Sequence, residues 1–371
     1  MRIGIVTTSY PRRTGDPAGA FVAGHVRWLA RAGHEVDVVC AGPGDAVVDG
    51  IPVARTHGWG LVDGTGAPDR LARAPWRLAA AAPIAIALAA HTFARASRWD
   101  ALVAHWLVPA GPIAAAAARG RPLLAIAHGS DVHLVARRGL ADVALAPLVA
   151  ARARLVFTAP HLRDRLAAAT RTSSARRLIE AALVQPMGTD DDAPWPGPPA
   201  APTVLFLGRL VPIKGVDVLL DAIARLHPAP RVLIAGDGPE RGALEAQATR
   251  LGVDATFLGV VPTHARAALF ARASLIVLPS RPIDGRDEGT PLVALEARAA
   301  GIPLIASAIG GVPAAMAGWA GARLVEPGNA GVLSDRIAAA IAAPRPAPTP
   351  WNGASWGVVG PKLQEHWCNP A

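Results

Sequence analysis

Short, almost wholly apolar β-rich runs alternate with alanine-rich helical stretches along this chain, and the alternation occurs twice. "RIGIVTT" leads into the helical "GAFVAGHVRWLARAG", which stops at Gly33, and "EVDVVC" follows as the next strand. That is a strand, a helix with a C-terminal glycine, and a second strand. "DALVAH", "PLLAIAH", "ARLVFTA" and "AALVQP" extend the pattern. Strands with no polar face need cover on both sides, which parallel strands flanked by helices provide. The fold class this implies is α/β.

"MGTDDDAPWPGPPAAP" (187–202) interrupts with prolines, glycines and three aspartates, as a linker does. A second series then begins. "TVLFLG", "RVLIAG", "ATFLG", "SLIVLPS" and "IPLIAS" are its strands, with helical patterns between them. The chain thus divides into an N-terminal Rossmann-like domain (1–186), the linker (187–202) and a second Rossmann-like domain (203–345). A proline-rich connection and amphipathic helix (346–371) follow, docking back on the first domain. Two doubly wound domains facing each other put a ligand cleft outside the carboxyl ends of their strands.

At 371 residues, 51% hydrophobic and 18% charged, the chain is globular and large enough for both domains. Cys40 and Cys368 fit no metal spacing, so a reduced, cytoplasmic protein is expected. "MRIGIVTTSYP" is too short an apolar start for an export signal. "LAAAAPIAIALAA" (78–90) falls short of a membrane span and reads as a buried or interfacial helix.

The net charge of +9 resides in the first half: residues 1–189 hold 22 basic and 12 acidic side chains. Anionic lipid at the inner face of a membrane, a phosphorylated acceptor, or a compositional arginine bias each account for it. With aromatics at 5% and no basic-aromatic alternation, nucleic acid is not expected as a partner.

Chemistry concentrates in "DEGTPLVALEARAAG" (287–301), where Glu288 and Glu296 stand eight positions apart. Thr290 suits an N-cap and Pro291 a first helical residue, so Glu288 lies just outside the helix's positive end. Backbone N–H groups at Leu292 and Val293 make an anion site there. Glu296 has only Leu292, Val293, Ala299 and Ala300 as helical neighbours. A carboxylate among aliphatics is costly unless an exposed edge or a ligand hydroxyl satisfies it. "FLGRLVPIKG" (206–215) sets Arg209 at a strand end and Lys214, one of two lysines, before the next helix. Two such fixed cations suit a diphosphate.

"GRLVPIKG" followed by "EGTPLVALEA" resembles glycosyltransferase family 4, retaining sugar-nucleotide transferases of the two-domain GT-B fold. "GHVRWLARAGHEVDVV", "HGSD" (128–131) and "SWGVVGPKLQEHW" are similar to that family's first helix and second strand, cleft histidine segment and returning C-terminal helix. The resemblance implies a donor of UDP- or GDP-sugar type, a hydroxyl acceptor that is a glycan, lipid-linked or small molecule, and no metal or other cofactor. It implies that Glu288 holds hydroxyls of the transferred sugar, Glu296 the ribose, and Arg209 and Lys214 the diphosphate. Gly289, Thr290, Pro291 and Leu292 would offer backbone amides or contacts to donor oxygens. Val260 and Val261 would meet the nucleobase, His128 the reacting sugar, and Gly19 would let a loop approach the ligand.

Ala314 stands in "IGGVPAAM" where the family often has an acid, and "SRPIDGRDEG" is longer than the usual loop, with Arg281 and Arg286 near the acceptor or in solvent. His105, ending "DALVAH", fits a cleft or a core; His133 reads as structural. The Asp-x-Asp of "DDDAPW" sits in the linker, where metal chelation is not expected. Neither "AGPGDA" nor "AGDGPERG" completes a dinucleotide fingerprint. The residues leave open a sugar-nucleotide epimerase or hydrolase on the same fold, and a non-catalytic nucleotide-sugar-binding protein.

Overall fold

The computed structural model describes residues 1–58, 61–62, 74–190, 195–343, 351 and 353–368. Asp191 and Asp192 of the Asp-x-Asp motif, and 346–350 of the proline-rich connection, lie outside the described residues. Contacts divide the chain into two compact units: Met1–Gly188 with the C-terminal helix Trp356–Cys368, and Thr189–Ser355.

The first unit is built on β1 (Arg2–Thr7), β2 (Glu35–Ala41), β3 (Val47–Val48), β4 (Ile51–Thr56), β5 (Ala101–His105), β6 (Leu123–Ala127), β7 (Arg154–Phe157) and β8 (Leu183–Val184). Their order is β3-β4-β2-β1-β5-β6-β7-β8, parallel throughout except for the β3–β4 hairpin. Ile3, Ile5, Leu102, Leu124 and Ile126 are fully buried, as apolar strands covered on both faces require. The strand β4, "IPVART", escaped the sequence reading because its proline and alternating exposure break the apolar run. Strand order reverses between β1 and β5, so the carboxyl ends of β1, β5 and β6 border a switch point.

The apolar run 78–90 ends the turn Pro75–Ala80 and opens helix Ala81–Ala96, one face of which is buried. Ile84, Leu88, Thr92 and Ala96 face the core at four-residue spacing, whereas Ile86 and Phe93 point outward. The C-terminal helix packs on helix Ala20–Arg31 through two reciprocal tryptophan-over-glycine contacts. A Cβ on Gly24 would meet Trp356 Nε1 at 2.2 Å, and one on Gly360 would meet the Trp28 ring at 2.1 Å.

The second unit carries β9 (Thr203–Leu207), β10 (Arg231–Ala235), β11 (Ala255–Gly259), β12 (Leu275–Leu278), β13 (Leu304–Ser307) and β14 (Ala322–Val325). All pair in parallel in the order β11-β10-β9-β12-β13-β14, the doubly wound arrangement. Side chains alternate between two cores: Val204 and Phe206 enter one, Leu205 and Leu207 the other. Trp195, from the proline-rich stretch, is buried in this second core and donates through Nε1 to Ala273 O at 3.1 Å. Here the order reverses between β9 and β12, and the two glutamates and two cations of the sequence lie on the segments that follow those strands.

Candidate active site

After β9 the chain passes Arg209, makes a 3-10 turn over Pro212–Lys214 and reaches Gly215 at φ +64°. A Cβ on Gly215 would lie 2.1 Å from Pro279 O, so only glycine lets this loop press on the end of β12. Arg281 N also donates to Ile213 O at 2.9 Å. The close approach delivers Lys214 Nζ to Glu288 Oε1, and Ser280 Oγ donates to the same oxygen at 2.8 Å. A third segment grips the main chain of Glu288. Gly311 N donates to Glu288 O and Gly289 O, both at 3.1 Å, and a Cβ on Gly310 would strike Glu288 O at 1.8 Å.

Burial alone would raise the Glu288 pKa; Lys214 beside it, the Ser280 hydroxyl and nearby Arg209 more than reverse this and hold the carboxyl below its ordinary range. Arg209, Lys214 and Glu288 are thus brought into one electrostatic cluster.

The following helix is Leu292–Ala300, with Pro291 as N-cap and no side-chain cap. The expectation of Thr290 as N-cap and Pro291 as first helical residue is corrected by one position. Pro291 takes ψ 120°, an extended value, while its carbonyl already accepts from Ala294 N at 3.0 Å. Pro291 is therefore still extended where the chain leaves the Gly311 contacts, and Leu292 supplies the first helical N–H.

Glu296 is only 7% exposed. Its charge is met from outside its own helix, where the sequence reading found no partner: Arg266 of helix Arg266–Phe270 donates from a terminal nitrogen to Oε1. Oε2 has no hydrogen-bond partner among the described residues, and neither has Arg266 Nε. Burial raises the Glu296 pKa, with Arg266 opposing and Asp190 adding to the rise. Val260, following β11, is exposed, while Val261 packs on the second core. Arg281 pairs with Asp217 at 2.8 Å, and Ala314 is exposed on helix Val312–Met316.

The first unit gathers the remaining candidates at its own switch point. Gly19, at φ +71°, caps helix Ala20–Arg31 and lies against Ser9 and Tyr10, where a Cβ would meet backbone at 2.9 Å. His105, fully buried at the end of β5, and His128, after β6, are hydrogen-bonded at 3.0 Å. Asp131 fixes the "HGSD" turn by accepting from Leu107 N at 2.6 Å, Gly129 N at 2.8 Å, Val132 N at 3.0 Å and His128 N at 3.1 Å. Phe21 and Trp106 flank the His128 ring, each with its centroid 4.8 Å away. Trp106 holds φ +80°, a strained value for a bulky residue of the kind that marks functional sites. His133 contacts Arg165.

Sequence reasoning missed Ser280, Arg266, Phe21, Trp106 and His25. A serine ending "SLIVLPS" was a signal for the first; nothing in local spacing pointed to the others.

Residues 190–350 match the family described as "Glycosyl transferases group 1", and residues 18–182 match the "Glycosyl transferase 4-like domain". A GDP-mannose-dependent alpha-(1-6)-phosphatidylinositol monomannoside mannosyltransferase of Mycolicibacterium smegmatis is 30% identical over 291 residues, 71% of each chain. The chain belongs to the group 1 glycosyl transferases. A D-inositol 3-phosphate glycosyltransferase of Segniliparus rotundus is 35% identical to this family member over 155 residues, 39% of this chain and 33% of that protein. The match thus spans about a third of that curated relative's length. Among solved structures, Anabaena HepE in complex with UDP-glucose superposes with TM-score 0.69 at 20% identity, covering 98% of both chains. That likeness bears on the fold: two Rossmann-like domains of the GT-B class.

Proposed function

We propose that the protein moves a sugar from a nucleoside diphosphate sugar to a hydroxyl acceptor, with retention of configuration and without a metal ion. The observation that carries this reading is the cluster of Lys214, Ser280 and Glu288 at the β9/β12 switch point, with Arg209 beside it. Breaking the bond to a diphosphate builds negative charge on the leaving group, and fixed cations aimed there lower the barrier. Arg209 and Lys214 take that role, in place of a divalent cation. Glu288 is held as a carboxylate and accepts from hydroxyls of the transferred sugar, whose anomeric carbon becomes cationic in the transition state. Glu296 Oε2, buried and without a hydrogen-bond partner among the described residues, accepts from a ribose hydroxyl. Backbone groups of Gly289–Leu292 meet donor oxygens, Val260 and Val261 border the base, and His128 and Gly19 serve the reacting sugar and acceptor. The mycolicibacterial relative's use of GDP-mannose and the UDP-glucose bound to HepE support a donor of UDP or GDP type.

A panel of UDP- and GDP-sugars, each with and without hydroxyl acceptors, tests this. Acceptor-dependent transfer is expected, falling by about 10²–10³ in Glu288→Gln and in Lys214→Ala with the fold retained. Equal donor loss without acceptor would favour a hydrolase or epimerase, and donor binding with no turnover a binding protein.

We further propose peripheral contact with an anionic membrane through helix Ala81–Ala96, which would suit a lipid-linked acceptor at the inner membrane face. Ile86 (69% exposed) and Phe93 (45%) stand seven positions apart on its outer face, and Trp76 (74%) precedes it. Arg77 lies over the Trp76 ring, and Arg95 and Arg98 end the segment. An apolar face edged with arginine suits anionic headgroups. No helix among the described residues is long and apolar enough to cross a membrane. Flotation with anionic vesicles, lost in Ile86→Asp with Phe93→Asp, is the expected result; no flotation of the unaltered protein at low salt would overturn it.

A further inference from the structure

His25, His105 and His128 form one hydrogen-bonded line through the first unit. His25 Nδ1 meets His105 Nε2 at 3.1 Å, and His105 Nδ1 meets His128 Nε2 at 3.0 Å. Helix Ala20–Arg31, the end of β5 and the turn after β6 each contribute one ring. His25 and His105 are almost wholly buried. Burial pushes His25 and His128 down to about 3 and takes His105 well below its usual range, so all three rings are neutral at pH 7.

A neutral imidazole has one N–H and one bare nitrogen. Both bonds here join the Nδ1 of one ring to the Nε2 of the next, and this restricts the line to two states. If His105 carries its proton on Nδ1, it donates to His128 Nε2, which must be bare, so His128 is protonated on Nδ1. The bare His105 Nε2 then accepts from a protonated His25 Nδ1. With the proton of His105 on Nε2, every donor and acceptor reverses. The three rings therefore share one tautomer, because any mixture breaks a buried hydrogen bond.

The consequence appears at the open end. His128 Nδ1 has no hydrogen-bond partner among the described residues. It offers a donor in one state and an acceptor in the other. At the far end the Trp356 indole stacks on His25 with centroids 5.3 Å apart and planes 3° apart, holding that ring in place.

We propose that His25 and His105 are positioning residues that select the tautomer of His128, and so decide whether it donates to or accepts from a sugar hydroxyl. The hydroxyl contact rests on the glycosyl-transfer reading; the shared tautomer does not. The first test is therefore ring-nitrogen NMR of the full chain labelled with ¹⁵N-histidine. One common tautomer for the three residues is expected, and mixed tautomers would overturn the proposal.

His25→Phe keeps a ring under Trp356 but deletes the nitrogen facing His105, whereas His25→Asn keeps a polar atom there. The Phe variant is expected to shift the His128 ring-nitrogen signals; unchanged signals would overturn the proposal. It is also expected to lower kcat by about tenfold with donor KM little changed, and the Asn variant to recover most of the loss. A kcat equal in all three proteins would overturn the functional half. A chain that transfers no sugar at all would instead sink the glycosyl-transfer reading, with the ring-nitrogen signals still deciding the line.

Discussion

The ammonium of Lys214 donates to the carboxylate of Glu288 across 74 positions of sequence. It ties the loop leaving β9 to the loop leaving β12 at the point where the strand order reverses. The pair is largely shielded, with the side chains 20% and 12% exposed. Lys214 therefore holds the Glu288 carboxylate in place and ionised before any ligand arrives.

Removing one partner leaves the other charged and poorly solvated, while removing both does not. Lys214→Met is expected to lower stability by about 1–3 kcal/mol, below the range for a fully buried pair because some solvent reaches both groups. Lys214→Met with Glu288→Gln is expected to recover part of that loss. Urea unfolding of the two single variants and the double variant measures the coupling, and purely additive losses would contradict it.

Gly215 sets how closely those loops approach. Gly215→Ala puts a methyl 2.1 Å from Pro279 O, at a φ of +64° that alanine adopts only with strain. Neither strand end can yield without shifting Lys214 away from Glu288. The expected outcome is a loss of about 2 kcal/mol or more in stability, together with weakened donor binding, read by thermal shift with and without nucleotide sugar.

Arg266 is the counter-charge of Glu296, and both side chains are almost buried. Arg266→Met should strand that carboxylate, push its pKa further up and cost about 3 kcal/mol or more. Under the proposed function, donor KM rises more than kcat falls, because a neutral Glu296 accepts poorly from ribose. Kinetics at varied donor concentration separate the two; a fall confined to kcat would contradict the ribose assignment.

The alternation of apolar runs made both sheets legible, since strands covered on each face leave the plainest signal a sequence carries. Lys214, Glu288 and Glu296 were legible because each breaks its local rule: a rare lysine in a turn, and carboxylates at or inside an apolar helix. Strands β4 and β14 were not, because half-exposed strands lose the apolar run that marks the others. Nor was Arg266, which differs in no local way from the many arginines around it; its pairing with Glu296 is made by helix packing. The histidine line was hidden for the same reason. His25 lies on the buried face of an ordinary first helix, and only the parallel register that sets Thr7 beside His105 brings the two histidine-bearing elements together.

That line also gives the protein an acid-sensitive core. His25 and His128 titrate near 3 in the folded chain, and His105 well below its usual value, against about 6.5 when unfolded. Below pH 6.5 the unfolded state binds protons that the folded state refuses, so the stability present above that pH is lost progressively as pH falls toward 3. Each histidine contributes a slope approaching about 1.4 kcal/mol per pH unit within that window. Glu296 and Asp131, whose pKa values burial raises, work in the opposite direction at the acid end, so the histidine contribution is best isolated by difference. Unfolding free energies measured at intervals from pH 7.5 to pH 5 should fall more steeply for the unaltered chain than for His25→Phe, by about the slope of one histidine. Equal slopes would show that His25 takes up its proton without unfolding the core, which its burial beneath Trp356 forbids.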